Sequence, residues 1–242
     1  MIKYMNISEQ KMGIAFEKVL LSRTRDNPKA WLPIFDSVFK EVPSVQGIPD
    51  YIGVKFDKNE KFNRQIQFIE RSYLSSASAI LSLTKLHSAR TEEYYITKTG
   101  LSKSTVRKTI LYLLKKNILT TVDNKKKYVF SSDFKVPNIS IWAFELKLEN
   151  WKRAYFQAFQ YKTFANYTVI VFPKDKENVV RVHLDEFKKM NIGIILFNPI
   201  LCSYETLLKA KKSKPLSQRD ALFMQGQLLN MYNRKTRIKS NQ

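Results

Sequence analysis

Asp50 follows Pro49 at the mouth of an apolar segment, Tyr51–Phe56, in which Ile52, Val54 and Phe56 alternate with the period of a half-buried strand. Far downstream, Glu145 and Lys147 stand two residues apart within 139–147. A strand there turns both to one face with Ile141 and Ala143, and sends Trp142, Phe144 and Leu146 to the other. If the two strands pair, two carboxylates and an ammonium meet at one end of a sheet. That trio suits hydrolysis of a phosphodiester. A hard divalent cation such as Mg²⁺ takes carboxylate oxygens and keeps several waters. It polarises the phosphate and lowers the pKa of an attacking water. A lysine beside it orients that water or offsets charge building on the phosphate oxygens.

The elements that must position these residues follow from the pattern around them. Residues 8–22 read as a helix capped by Ser8, with Met12, Ile14, Ala15, Phe16, Val19 and Leu20 at helical spacing. Asp26, Asn27 and Pro28 break it. Residues 32–42, with Ile34, Phe35, Val38 and Phe39, read as extended, and 47–50 turn the chain into the strand at 51–56. After Pro137 come a strand at 139–147, a helix at 151–165 and a strand at 168–172. A segment at 182–190 ends in a short helix, and an apolar strand spans 192–197. This is α/β alternation. Residues 204–242 read as two helices separated by Lys211, Lys212, Ser213, Lys214 and Pro215.

Between the two halves the pattern changes. Residues 72–87, 91–99 and 102–117 read as helices, with a Gly100–Leu101 turn before the last. Strands at 120–122 and 128–130 flank an Asp123–Asn124 turn, with Lys125, Lys126 and Lys127 beside its tip. Gly100 sits where the turn wants a positive φ, and Ser102 where the helix wants an N-cap. Val106, Ile110, Leu113 and Leu114 share an inner face. Lys103, Ser104, Arg107 and Lys108 share the outer one, near the end that enters a major groove. Residues 91–107 resemble the helix-turn-helix of winged-helix proteins, with the lysine hairpin as a wing placed against phosphate. Residues 65–135 carry 13 basic and 5 acidic residues, enough for steeply salt-dependent binding. The plainer alternative is a solvated helical face beside a lysine-rich turn.

Composition narrows the field. The 242 residues include 42 Lys plus Arg against 21 Asp plus Glu, a net charge of +21. An excess of that size points to a polyanion, nucleic acid before an anionic membrane surface. Hydrophobic residues make up 44% and aromatic residues 13%, as in a folded chain with a sizeable core. One cysteine, Cys202, cannot form an internal disulfide, and with only His87 and His183 a Cys/His zinc site lacks ligands. Six glycines with no phosphate-cradling loop argue against an ATP-driven mechanism. The longest apolar runs, 167–172 and 192–197, fall far short of the roughly 20 residues of a membrane span. With no apolar leader at the N-terminus, the expectation is a cytoplasmic protein, nucleoid-associated when bound to DNA.

Pro49-Asp50 and Glu145-Leu146-Lys147 resemble the PD-(D/E)xK nuclease superfamily, whose core is the restriction-endonuclease-like fold. Glu17 on the first helix stands where many members carry an extra acid. Gln157 and Tyr161 match the Gln-x₃-Tyr signature of one exonuclease-like branch. The resemblance covers residues 8–56 and 139–197. It implies an α/β mixed sheet flanked by helices. The nuclease core would then be split between an N-terminal segment (1–64) and a later one (136–203), with a winged helix-turn-helix inserted between them (65–135) and a basic helical C-terminal segment after them (204–242). The simplest members lack such an insertion. The resemblance further implies Mg²⁺, with Mn²⁺ as a substitute, on Asp50, Glu145 and the Leu146 carbonyl. Lys147 would assist the attacking water, while Gln157 and Tyr161 support the site and double-stranded DNA is the substrate. Restriction, anti-phage defence, mobile elements and repair are the settings of such nucleases.

Rival readings stay open. Gln157 and Tyr161 also suit core packing, and Glu17 a solvated helix. Lys152, Arg153 and Lys162 suit either phosphate contacts or plain helix surface. The C-terminal stretch 205–242, with 9 basic and 2 acidic residues, suits a clamp on the DNA backbone or a solvated face. Cutting both strands calls for two active sites, which invites a homodimer. A winged-helix regulator or scaffold with a non-catalytic α/β domain is the competing function, and an RNA endonuclease the third.

Overall fold

Apolar side chains leave both faces of residues 139–146 and 167–173, and a strand of that kind is stable only when both faces are covered. The N-terminal region contributes α1 (Glu9–Leu21), β1 (Ser37–Lys40) and β2 (Tyr51–Phe56). Next come α2 (Leu74–Leu83), β3 (Arg90–Thr91), α3 (Glu92–Thr99), α4 (Lys103–Lys115), β4 (Leu119–Val122) and β5 (Lys125–Phe130). Then follow β6 (Ile139–Leu146), α5 (Trp151–Tyr161), β7 (Tyr167–Pro173) and a 3₁₀ turn at Lys174–Lys176. The chain closes with α6 (Glu177–Val182), α7 (Leu184–Lys189), β8 (Gly193–Asn198), β9 (Ser203–Leu208) and α8 (Gln218–Ser240). This computed structural model describes residues 8–22, 31–56, 69–122, 125–136 and 138–240, with backbone alone at 125 and 235–240. The expected break at Asp26–Pro28, the boundary at 64/65, the Asp123–Asn124 turn and the Lys125 side chain lie outside the described residues.

Two compact units result, one from 1–57 with 139–216 and one from 58–138 with 217–242. The first is α/β: a mixed six-stranded sheet in the order β1-β2-β6-β7-β8-β9. Its centre, β6, β7 and β8, is parallel, while β1, β2 and β9 join antiparallel. One face packs on α1, where Phe16 meets Phe144 and Phe197 edge-on at 5.6 and 5.3 Å. The opposite face packs on α5 and α7 through Ala154, Ala158, Ile170, Phe172 and Phe187. In the second unit α2, α3, α4 and a three-stranded sheet, β3-β5-β4, surround a core of Ile80, Tyr95, Val106, Ile110 and Leu113. α8 packs on α2 within it.

Local chemistry accounts for most boundaries. Thr91 and Ser102 cap α3 and α4, accepting from the Tyr94 and Thr105 amides, and Gly100 ends α3 in the left-handed conformation at φ 68°. In β2, a Cβ on Gly53 would lie 2.6 Å from the Phe35 ring. Gly53→Ala therefore overpacks the sheet, with an expected loss of about 1–3 kcal/mol measured by urea unfolding.

The C-terminal region differs from the expectation of two helices. Residues 203–208 are a strand paired with β8, and α8 alone is helical. The Glu-Thr-Leu-Leu-Lys-Ala run has good helical propensity, but the open edge of β8 offers it a full ladder of hydrogen bonds, and context overrides propensity. Of the extended segment 32–42 only Ser37–Lys40 forms the strand β1, and Glu41 follows it in the left-handed conformation at φ 49°. The short helix expected at the end of 182–190 is α7, and α6 precedes it as a further short helix. No helix among the described residues is long and apolar enough to cross a membrane.

Candidate active site

Antiparallel pairing of β2 with β6 puts Tyr51 opposite Phe144, so Asp50, one residue earlier, arrives beside Glu145. The Leu146 amide donates to Asp50 Oδ2 at 2.7 Å. That bond holds the carboxylate at the strand end. Leu146 keeps its side chain in the core, so it offers the site only backbone groups.

Glu145 shares a sheet face with the inner side of α5 and is only 1% exposed. The Tyr161 hydroxyl lies 2.7 Å from its Oε2, and Lys147 Nζ lies 3.0 Å from its Oε1. The same hydroxyl lies 3.1 Å from the Ile48 carbonyl, and the Gln157 side chain hydrogen-bonds to it as well. Gln157 Oε1 is buried with no hydrogen-bond partner among the described residues. Gln157, Tyr161 and Glu145 thus form a chain from α5 to the carboxylate, and the Ile48 contact ties in the loop before Asp50.

Electrostatics set the character of the site. Burial raises the Asp50 pKa above the ordinary 3.8. The Leu146 amide and Lys147 oppose that rise, while Glu9 and Glu41 add to it. Glu145 also rises above its ordinary 4.5, through burial first and then the Asp50 charge, against the pull of Tyr161 and Lys147. Burial disfavours the Lys147 charge, but Glu145, Glu9 and Asp50 outweigh it and hold the ammonium above its ordinary value. Tyr161 is raised by burial and by Glu145, so its hydroxyl stays protonated and can only donate to the carboxylate. Two carboxylates whose ionisation is resisted by burial, and for Glu145 by the Asp50 charge as well, gain from a cation.

The donor set suits a hard ion. Two carboxylates and a backbone carbonyl leave room for the several waters that Mg²⁺ retains. Among the described residues no three His, Cys, Asp or Glu side chains are placed to share one metal ion.

Asp50, Glu145, Lys147, Gln157, Tyr161 and the Leu146 backbone are therefore brought together. Glu17 is not brought to the pair. It hydrogen-bonds the Tyr51 hydroxyl, whose pKa is pushed up to about 12 by burial and the Glu17 charge. The α1 acid that reaches Lys147 is Glu9, at 3.4 Å. Eight residues separate the two, about 12 Å along a helix. Sequence reading missed Glu9 because an acid in a first helical turn already has a reason to be there, the helix dipole.

In the second unit Val106, Ile110 and Leu113 are buried, while Lys103, Ser104 and Lys108 are exposed on α4, and Lys126 and Lys127 on β5. Arg107 is exposed too, yet its Nε donates to Glu92 Oε1 of α3 at 2.8 Å, which partly neutralises it. Ser104 Oγ bonds Ser102 Oγ at 3.1 Å. No family model, curated protein or solved structure matches this chain.

Proposed function

We propose that the chain is a Mg²⁺-dependent DNA endonuclease of the PD-(D/E)xK kind, with a winged helix that docks the duplex. The observation that carries this reading is the pairing of buried Glu145 with Asp50 at one sheet end, with Lys147 at 3.0 Å from Glu145. In a chain of net charge +21, that concentration of negative charge calls for a function.

Asp50, Glu145 and the Leu146 carbonyl would hold the ion, with Mn²⁺ able to replace Mg²⁺. The bound ion would polarise the phosphate and acidify a water. Tyr161, steadied by Gln157, keeps Glu145 oriented through its hydrogen bond. Lys147 stays an ammonium at neutral pH, so it orients the attacking water and balances charge on the phosphate, and does not act as a base. Incubation of the whole protein with plasmid DNA tests the reading: Mg²⁺ supports nicking, EDTA stops it, and Lys147→Ala loses it. Binding with no cleavage in either Mg²⁺ or Mn²⁺ returns the protein to the regulator reading, and preference for structured RNA over duplex DNA to the RNA reading.

DNA docking on the second unit is supported by the cap–turn–cap geometry of α3 and α4 and by the exposed lysines of α4 and β5. Replacing Lys103 and Lys108 together by Ala is expected to weaken duplex affinity about tenfold near 0.1 M salt. Each lost phosphate contact flattens the salt slope by about 0.9. Fluorescence anisotropy across a salt series reads both; an unchanged slope removes α4 from the interface.

A further inference from the structure

The outer face of α5 carries side chains that neither the core nor the carboxylate centre uses. Phe156 is 65% exposed and Phe159 39%. At three residues' separation their Cβ atoms are surface neighbours, about 5–6 Å apart. Lys152 and Arg153 are exposed on the same helix, and no carboxylate lies within its sequence. Among the described residues neither cation has an ion-pair partner; the Lys152 ammonium instead sits over the Trp151 ring at 5.8 Å.

This surface is continuous with the rim of the site. Gln157 and Tyr161 form the inward side of α5, and Phe156 lies next to Gln157, about 100° around the helix. The loop before Asp50 runs alongside: a Cβ on Gly47 would lie 3.6 Å from the Tyr161 ring and 4.0 Å from Gln160 Oε1. In that loop Ile48, whose carbonyl lies 3.1 Å from the Tyr161 hydroxyl, leaves its side chain 54% exposed.

We propose that the outer face of α5 is a stacking platform for unpaired nucleotides of the DNA strand delivered to the Asp50–Glu145 centre. The proposal rests on the nuclease reading above and specifies its substrate: DNA with a single-stranded stretch. Aromatic rings flanked by cations on a helix that itself carries no acid match a strand that offers both phosphates and base faces. A duplex hides its base faces in the stack, so it gains little from exposed phenylalanines. A second copy of the chain would bring like charges together, which disfavours a homodimer through this face.

Binding of single-stranded oligonucleotides carrying 2-aminopurine, followed in EDTA so that no strand is cut, tests the platform. Wild-type protein is expected to quench the fluorescence. Phe156→Ala should weaken single-strand affinity roughly five- to hundredfold and relieve the quench, with duplex affinity and salt slope unchanged. Phe156→Trp should restore both, while Arg153→Ala flattens the salt slope and leaves the quench. The platform is overturned if wild-type protein gives no quench, or if Phe156→Ala combined with Phe159→Ala binds single strands as wild type does. It is equally overturned if that double variant turns a dimer into a monomer in sedimentation with nucleic-acid binding intact. Failure of the nuclease reading has another signature: no substrate is cut in Mg²⁺, while the quench in EDTA persists.

Discussion

Glu145→Gln is expected to reduce Mg²⁺-dependent cleavage by at least about 10³-fold while DNA binding in a gel shift stays within about twofold. The substitution keeps the size of the side chain and a partner for the Tyr161 hydroxyl, which now lies 2.7 Å from Oε2. It removes the charge. Loss of one anionic ligand weakens the hold on the ion, and the ammonium of Lys147 is left with Glu9 at 3.4 Å as its acidic partner in place of Glu145 at 3.0 Å. A rate loss of 10³ corresponds to about 4 kcal/mol, the magnitude of removing one well-placed group that stabilises developing charge. Gel shift and cleavage must be measured on the same preparation. Cleavage within about tenfold of wild type would remove Glu145 from the chemistry and leave it a buried structural acid.

Asp50→Asn should raise the melting temperature of the ion-free protein at pH 7 and abolish the further rise that Mg²⁺ gives wild type. The sign follows from proton binding. Asp50 and Glu145 both titrate above their ordinary values of 3.8 and 4.5 in the folded protein. Between the ordinary and the raised values the folded state therefore binds protons that the unfolded chain has released. Stability from these groups is highest below pH 4, falls as pH rises through that window, and stays reduced at pH 7. Asparagine removes one of the two charges and keeps an oxygen for the Leu146 amide, a gain of about 0.5–2 kcal/mol of the kind common when a functional site is neutralised. Mg²⁺ needs both carboxylates ionised. About 10 mM ion at ten times its dissociation constant adds about 1.4 kcal/mol, or roughly 3–6 °C for a unit of this size, and this shift vanishes toward pH 4. A Mg²⁺ shift retained in the variant would place the ion elsewhere.

The site shows how far local pattern reaches. Alternation over 139–146 assigned Glu145 to one face and Phe144 to the other, and the structure has Phe144 in the α1 core and Glu145 against Tyr161. Capping chemistry placed the start of α4 within a residue, because a serine at an N-cap acts through its own helix alone. Three features were hidden from that reading. Glu17 and Glu9 sit on one helix, and choosing which acid meets Lys147 needs the position of α1 over the sheet. Arg107 reads as a free DNA-facing cation until α3 brings Glu92 to it. Strand β9 reads as helix until β8 offers its edge.

Period, capping and turn chemistry depend on neighbours a few residues away, so the amino-acid order alone determined the alternating strands, the Ser102-capped helix of the middle segment and the side of β6 that carries Glu145. Partnership between distant side chains depends on how the elements dock. Only the tertiary structure decided that Asp50 lies beside Glu145, that Tyr161 donates to it and that Glu9 pairs with Lys147. A difference of one helical turn in α1, about 5 Å, exceeds the reach of a salt bridge, and no periodicity within α1 encodes where that helix comes to rest.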